Sequence, residues 1–491
     1  MTSEIRTGRL TFRVINNTAA FMGGDFFYHL VNFLAGILIA RSLGNEGYGQ
    51  FSFIFVYLSF FEILTQFGLN SVLTRRIAQN RAQAPKLLGN AILLRLLLMG
   101  ATLPLALALV RVLGYSPSIQ QGVLLGSFQL VLTLRSIYET IFRVELLMIY
   151  PAFWNGLRAV LNLILVATVA SFHPAVNSFI LVYAASGLAG LAGLAVFSRR
   201  FVRISLAPEW RLMGQLMKDS IPLVMAGYLT LLYCRIDVLM LSKMKGFSEV
   251  GFYSAATRLT EPLDMIASSL SISLLPLFSR AFRENRRDFE EFSSKALLGL
   301  LLIGLPLALG GSLVAQDLIS LFFGSSYSPA GGTLAILFWY NFFGFLSTLF
   351  VNLLIATGKQ KVDAWFSLFL LLGNVGMNLL LIPRFSFNGA AAATVLTEIA
   401  GTILMFAYLS RHPAIRLPDP RRDLVTVLKV NVPFFLLLLL LKGLFGLSGL
   451  GLAGFGILSY GLLLLVFRVV TWNSLKNYFS HWANRREEMT K

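Results

Sequence analysis

Charged residues are scarce in this chain of 491 residues: only 13% are Asp, Glu, Lys or Arg, whereas 56% are hydrophobic. A soluble domain carries about 25% charged residues, because its surface must be covered with polar groups. The scarcity of charge therefore excludes a soluble protein. It indicates an all-α, polytopic membrane protein, in which helices satisfy their own backbone groups inside the lipid.

Several kinds of chemistry lack the residues they need. The single cysteine, Cys234, excludes an internal disulfide and a thiolate metal cluster, and four isolated histidines do not suggest a zinc site. A phosphate-binding glycine loop with its lysine is missing, so nothing indicates ATP hydrolysis. No nucleophile–base pair is recognisable either. We expect no enzyme, no catalytic or metal-binding residue and no cofactor, with coupling to H+ or Na+ left open.

Long apolar runs dominate what is present. A bilayer core of about 30 Å requires about 20 apolar residues per helix. We count fourteen such stretches. Their approximate ranges are 14–40, 47–72, 88–112, 121–142, 150–171, 176–197, 219–242, 250–277, 296–316, 330–356, 362–383, 388–409, 424–443 and 449–470. We predict an N-terminal six-helix lobe over 1–205, a second six-helix lobe over 206–415, and a terminal helix pair with a basic tail over 416–491.

The distribution of basic residues predicts the topology. With the N-terminus inside, inside segments hold 30 Lys and Arg residues, and outside turns hold six. Both termini are then cytoplasmic, and the connection 198–218 is cytoplasmic as well. This bias explains the net charge of +18 through contact with anionic membrane lipids, without nucleic acid. The first apolar run is long and lacks a cleavage site, so we interpret it as a retained helix.

A sequence register repeats at a spacing of 202 residues without a gap. Each copy lies in a short polar turn that leads into an apolar stretch, as in transporters built from duplicated bundles. The paired positions are Arg41 and Lys243, Gly44 and Gly246, Gly49 and Gly251, Ser52 and Ser254, and Glu62 and Asp264. Because each half has six helices, the repeats should be parallel and related by an axis along the membrane normal.

Five arginines within the predicted spans are candidate substrate ligands. Placing an ionised group at mid-bilayer costs at least about 2.5 kcal/mol, so each must face water, a partner or a cavity. Arg95 and Arg158 have no nearby acid, and Arg235 is not paired along its helix by spacing; a guanidinium suits phosphate oxygens. Their alternatives are a cross-bundle ion pair or snorkelling to a headgroup. Arg135 and Arg258 lie four and three residues before a glutamate, so an internal ion pair is their alternative.

Three acids are candidate coupling or gating residues. Asp25 follows Gly23 and Gly24, which weaken the first helix and allow it to bend. Glu62 and Asp264 occupy matching positions in the two repeats. For these two, a repeated structural hydrogen bond to a helix end is the alternative to a gate or an ion site.

Several motifs carry a family resemblance. The turn 40–51, with sequence ARSLGNEGYGQF, resembles the first outside turn of bacterial polysaccharide-export flippases of the Wzx type. The stretches 67–70 and 75–78 look like the end of their second helix. The segments 374–383 and 388–392 are similar to their eleventh and twelfth helices. These motifs are typical of the superfamily shared with multidrug antiporters and lipid II flippases.

The resemblance implies two lobes around a cavity with alternating access. Its implied cargo is an undecaprenyl-diphosphate-linked oligosaccharide, flipped across the bacterial inner membrane for O-antigen, capsule or exopolysaccharide. The arginines would hold the diphosphate and glycan. In related antiporters an acid in helix 1 takes the coupling ion, and Asp25 is the candidate for that position. We expect a monomer, with polysaccharide polymerase machinery as a candidate partner. The alternatives are a multidrug or cation antiporter and a lipid II flippase, although the dense arginine set of the latter is missing from helices 1 and 2. A membrane glycosyltransferase is disfavoured by the short outside turns.

Overall fold

The structure is a computed structural model that describes residues 2–411, 420–446 and 448–467, with side chains described from 23 onward. Within these ranges the side chains at 264, 265, 268, 272, 420–424 and 445 are not described. The predicted basic tail beyond residue 467 lies outside the described residues. The three-part division of the chain stays a prediction.

The described residues form α-helices and two short 3-10 turns, without a strand, which confirms the predicted all-α class. The helices are α1 (Thr2–Gln66), α2 (Leu69–Gln79), α3 (Ala84–Val112), α4 (Pro117–Gly126), α5 (Phe128–Leu132), α6 (Arg135–Val144), α7 (Ile149–Phe172), α8 (Val176–Ser198), α9 (Trp210–Met244), α10 (Phe247–Glu284), α11 (Arg286–Phe323), α12 (Ala330–Ala356), α13 (Gln360–Arg411), α14 (Pro420–Phe445) and α15 (Gly449–Val466).

Ten helical segments of the described chain are long and apolar enough to cross a membrane. Two of them, 23–79 and 360–411, each contain two predicted spans. Each of these two changes direction at a residue with positive φ, Gly44 in α1 and Ser386 in α13. The predicted spans 121–142 and 250–277 are not among the ten. The protein is therefore a multi-pass membrane protein, and the number fourteen stays a prediction.

The predicted span 121–142 differs from an ordinary membrane helix, because it is broken into α4, α5 and α6. Ser127 and Thr133 stand at the breaks, and each hydroxyl donates to the carbonyl three residues earlier at 2.6 Å. Such local bonds compete with helical backbone pairing. The helix is therefore interrupted at two points within a span that the sequence presents as one apolar run.

The described chain divides into two compact units. The first contains the described residues up to Ser254 together with Asn378–Phe387. In it α1 packs along α7, which packs on α8, and α9 lies against α1. A buried apolar cluster lies around α2, α3 and α6, with Leu73, Leu88 and Phe142 at its centre.

The second unit contains Ala255–Met377 and the described residues from Asn388 onward. Its main contact is between α11 and α12, and α14 and α15 pack on α11. Val314, Phe434, Leu438 and Leu452 form the buried centre of this three-helix contact. At one end of it, the Asp317 carboxylate accepts a hydrogen bond of 2.8 Å from the first backbone N–H of α15.

Candidate functional site

A polar cavity of about 310 Å³ lies within the first unit. Its walls come from α1, α4, α5, α6, α7 and α8, so most of the first predicted lobe contributes to it. The lining residues are Tyr28, Phe55, Glu62, Leu125, Gly126, Phe128, Gln129, Leu132, Arg135, Arg158, Ile180, Tyr183 and Ala184. The volume is at the lower end of the range for small-molecule sites.

Glu62 provides the carboxylate of this cavity. Its two oxygens accept hydrogen bonds from Gln66 at 2.8 Å and from Gln129 at 2.6 Å. The amide oxygen of Gln129 is buried and has no hydrogen-bond partner among the described protein groups. A buried acceptor of this kind is costly unless a ligand or water pairs with it. Gln129 therefore offers an acceptor that suits a ligand hydroxyl.

Arg135 is held at the edge of the cavity by two neighbours. Its guanidinium donates to the side-chain oxygen of Asn155, and its Nε lies 3.5 Å from Glu139 Oε1. The predicted ion pair between Arg135 and Glu139 is thus present, and Arg135 also lines the cavity. Arg135 can therefore form an ion pair with Glu139 and still be a candidate substrate ligand.

Arg158 is positioned by packing contacts rather than by an ion pair with an acidic residue. Its guanidinium carbon lies 5.8 Å from the centroid of the Tyr28 ring, within the range of a cation–π contact. Its aliphatic stem packs on Gly190 of α8, where an added Cβ would stand 3.0 Å from the Arg158 Cδ. Because glycine has no side chain, the Arg158 stem can pack directly against α8 at Gly190.

The cavity therefore brings together both charge signs, amide groups and tyrosine rings. Guanidinium groups bind anionic oxygens, and amides and carboxylates pair with hydroxyls. Aromatic rings supply flat apolar faces. This set fits a cargo that is both anionic and rich in hydroxyl groups.

Arg95 occupies a different environment and is 1% exposed. Its guanidinium donates to Ser136 Oγ at 2.8 Å and to Asn70 Oδ1 at 3.1 Å. It also donates to the backbone carbonyls of Thr133 and Gln66, which lie where α5 and α1 end. We call Arg95 and these four acceptor residues the Arg95 hub. The hub ties two interrupted helices together.

The remaining predicted residues lie elsewhere. Arg258 Nη1 is 3.1 Å from Glu261 Oε2 in the second unit, so this predicted ion pair is present. Asp25 lies 3.6 Å from the ring of His29, and both are well exposed. Arg235 is half-buried on α9. The side chain of Asp264 is not described. The predicted roles of all eight residues stay predictions.

Some candidate residues escaped sequence reasoning. Gln129 was hidden in a broken apolar span, although a lone amide there was a usable signal. Tyr28 and Tyr183 carried no signal of their own, because aromatic residues make up 13% of the chain. Outside the cavity, the Asp237 carboxylate is 4% exposed and accepts a hydrogen bond from the Tyr253 hydroxyl. This buried acid is held between α9 and α10.

Two family models match the chain. The model of the polysaccharide biosynthesis protein family matches residues 14–282, and that of the lipid II flippase MurJ matches residues 191–460. Among relatives, a probable low-salt glycan biosynthesis flippase of Haloferax volcanii is 25% identical over 79% of this chain and 81% of its own length. A putative O-antigen transporter of Shigella flexneri is 26% identical over 34% of this chain and 40% of its own length.

Solved structures show the same fold at low identity. A lipid II flippase MurJ in an inward closed conformation has a TM-score of 0.76 at 15% identity, over 93% of this chain and 99% of that chain. An inward-facing multidrug resistance MATE transporter of the MOP superfamily has a TM-score of 0.65 at 17% identity, over 78% of this chain and 93% of that chain.

The chain shares a polytopic all-helical fold with these membrane-protein structures. The match over 14–282 covers more than half of the 491 residues. The chain belongs to the polysaccharide biosynthesis protein family and is of the Wzx type, which confirms the resemblance found in the turn 40–51.

Proposed function

We propose that this protein is a flippase that moves an undecaprenyl-diphosphate-linked oligosaccharide across a bacterial inner membrane by alternating access. The product would serve O-antigen, capsule or exopolysaccharide synthesis. The observation that carries the proposal is the first-unit cavity, which combines Arg135 and Arg158 with Glu62 and an unpaired Gln129 oxygen. Family membership supports the same class of cargo.

The physical task explains why such a cavity is useful. A diphosphate-sugar headgroup loses water at every charge and hydroxyl when it enters lipid, and each unpaired loss costs several kcal/mol. A cationic, hydrogen-bonding cavity replaces the lost water, while the polyprenyl tail stays in the bilayer. The two access states need only a change of packing, so the proposed function includes no covalent step and no catalytic residue.

The side chains have different proposed roles. Arg135 and Arg158 contact the anionic headgroup, because they line the cavity. Arg235 and Arg258 are proposed contacts with the same cargo, with Arg258 the weaker because Glu261 already holds its guanidinium. Arg95 acts through the hub, since both of its terminal guanidinium nitrogens donate to protein acceptors. Asp25, Glu62 and Asp264 are proposed for coupling or gating, with H+ or Na+ as the ion.

The proposed setting follows the charge bias of the loops. Both termini and the 198–218 connection face the cytoplasm, the protein acts as a monomer, and polymerase machinery receives the flipped unit. A cysteine placed in 198–218 of a Cys234→Ser background should resist an impermeant thiol reagent in intact cells. Labelling from outside would contradict this topology.

The decisive experiment is deletion of the protein in its native host. We expect complete polyprenyl-linked repeat units to accumulate, measured by mass spectrometry of extracted lipids, together with loss of surface polysaccharide. Re-expression of the wild-type chain should restore both, and a matched Arg158→Ala chain should not. Unchanged surface polysaccharide with new drug sensitivity would reject the proposal in favour of a multidrug antiporter. Accumulated lipid II would instead favour a cell-wall precursor flippase.

A further inference from the structure

The two repeated turns found in the sequence lie against each other in the first unit. Gly44 and Gly246, at matching positions, adopt positive φ values of 68° and 96°. Glycine reaches this left-handed region without steric cost, so both turns use the same device to redirect the chain. The matching glycines five residues further on, Gly49 and Gly251, lie near the start of the helical stretches that follow the two turns.

Gly49 and Gly251 make a reciprocal contact. A Cβ added to Gly49 would overlap the backbone carbonyl oxygen of Phe247, and a Cβ added to Gly251 would overlap the carbonyl oxygen of Asn45. Asn45 and Phe247 are themselves 202 residues apart and occupy matching repeat positions. Each turn therefore presents a glycine to the same carbonyl of the other turn, which is the pattern of a two-fold contact.

Backbone meets backbone at both points of this contact. A flexible side chain could move aside for an added methyl group, but a carbonyl in a helical turn moves only with its whole segment. Packed surfaces of this kind have discrete arrangements rather than a continuous range. The two glycines consequently allow one close arrangement that other residue types forbid.

Side chains around the glycines stabilise the close arrangement. Asn45 Nδ2 donates to Ser248 Oγ at 2.6 Å. The Phe247 ring lies 5.4 Å from that of Phe53 and 6.2 Å from that of Tyr115, measured between centroids. The close backbone contact is thus flanked by a hydrogen bond between the two turns and by packed aromatic rings.

We propose that Gly49 and Gly251 form a lock that closes the cargo path on the predicted outer side, and that the lock must separate for the cargo to leave. This inference rests on the proposed flippase function for its transport consequence. The lock itself depends only on the two turns. Its two glycine–carbonyl contacts separate together when the turns move apart. We refer to this pair of contacts as the glycine lock.

Disulfide crosslinking measures the lock without requiring transport. The purified full-length protein in nanodiscs would carry Cys234→Ser, Asn45→Cys and Ser248→Cys, and free thiols would be counted by gel shift with a maleimide polymer after brief oxidation. With both glycines present we expect fast crosslinking. Gly49→Ala and Gly251→Ala should each slow it by about tenfold, which corresponds to about 1.4 kcal/mol, because overpacking forces the turns apart.

Matched controls separate the lock from a general effect of alanine. Gly100 and Gly227 have no atom within 4 Å of an added Cβ. Gly100→Ala and Gly227→Ala should therefore crosslink at the parental rate. Parental rates in both Gly49→Ala and Gly251→Ala, at the thermal stability of these controls, would overturn the lock.

A second arm decides the question if the alanine variants do not fold. In cells that carry the Asn45→Cys, Ser248→Cys pair, oxidation should abolish restoration of surface polysaccharide, and reduction should recover it. Full restoration with the disulfide formed would overturn the lock. If crosslinking depends on the glycines but deletion causes no build-up of lipid-linked sugars, the flippase function fails and the lock remains.

Discussion

Arg95 and Arg158 are both arginines without a nearby acid in the sequence, yet their surroundings differ. Arg95 is enclosed, and its guanidinium is shared among four protein acceptors in the hub. Arg158 faces a cavity and touches an aromatic ring. The difference shows that burial of a charge does not by itself identify a ligand site. The contacts of its donor groups distinguish the two cases.

The two environments are joined through Gln66. Its backbone carbonyl accepts from Arg95 at 3.4 Å, and its side-chain amide donates to Glu62 at 2.8 Å. Gln66 is the last residue of α1, immediately before the positive φ of Phe67 and Gly68. Through Gln66, the hub therefore fixes the end of α1, and the Gln66 side chain hydrogen-bonds to the Glu62 carboxylate in the cavity.

The largest effect should follow removal of the hub arginine. Arg95→Ala removes four hydrogen bonds from a charged donor, including the one to the carbonyl of the buried Thr133, and we expect a loss of about 3 kcal/mol or more of stability. The measurement is thermal unfolding of the purified protein in detergent, followed by tryptophan fluorescence. Arg95→Lys keeps the charge but not the planar set of five donors, so its unfolding temperature should lie between those of the wild type and Arg95→Ala. Wild-type stability with abolished transport in Arg95→Ala would make Arg95 a ligand and remove the contrast with Arg158.

Loss of the cavity arginine should affect transport instead. Arg158→Ala removes charge-assisted contacts worth about 1.5–3 kcal/mol, which is roughly 10- to 150-fold in transport. The measurement is restoration of surface polysaccharide in a deletion host at matched expression. Its thermal unfolding should stay close to that of the wild type. Full restoration would remove Arg158 from the cargo site.

A smaller effect should come from moving that arginine without removing it. Gly190→Ala places a Cβ against the Arg158 stem, which is flexible and can shift. We expect a transport loss of about two- to tenfold, of the size that 0.5–1.5 kcal/mol of rotamer strain gives. The double variant Gly190→Ala, Arg158→Ala should be no worse than Arg158→Ala alone. Additive losses would indicate that Gly190 acts through another contact.

The smallest effect should be at Arg258. Its pairing with Glu261 occurs along one partly exposed helix face, where such pairs contribute about 0–1 kcal/mol. Arg258→Ala should lower transport by no more than about fivefold, which corresponds to about 1 kcal/mol, and leave the unfolding temperature nearly unchanged. Transport assays in the same deletion host give the comparison. A loss as large as that of Arg158→Ala would place a second cargo contact in the second unit.

Most of the long helices were predictable, because a membrane helix requires about 20 consecutive apolar residues and such runs can be counted in the sequence. The sequence also located the glycine positions of both turns, since the 202-residue register marks them. The Arg95 hub was not predictable, because two of its acceptors are backbone carbonyls at helix ends, which side-chain spacing does not reveal. The cavity was not predictable either, because its lining residues come from six helices that are brought together only by packing. Ion pairs at Arg135 and Arg258 were predictable from spacing alone.

The reciprocal contact of Gly49 and Gly251 has the geometry of a homodimer interface contained in one polypeptide. In a symmetric dimer, residue i of one copy meets residue j of the other, and j meets i. Here residues i and j occupy matching positions of a register that repeats at 202 residues within one chain. Without the second turn, Gly49 would lose the Phe247 carbonyl that it now packs against, and the first turn would present an unpartnered surface.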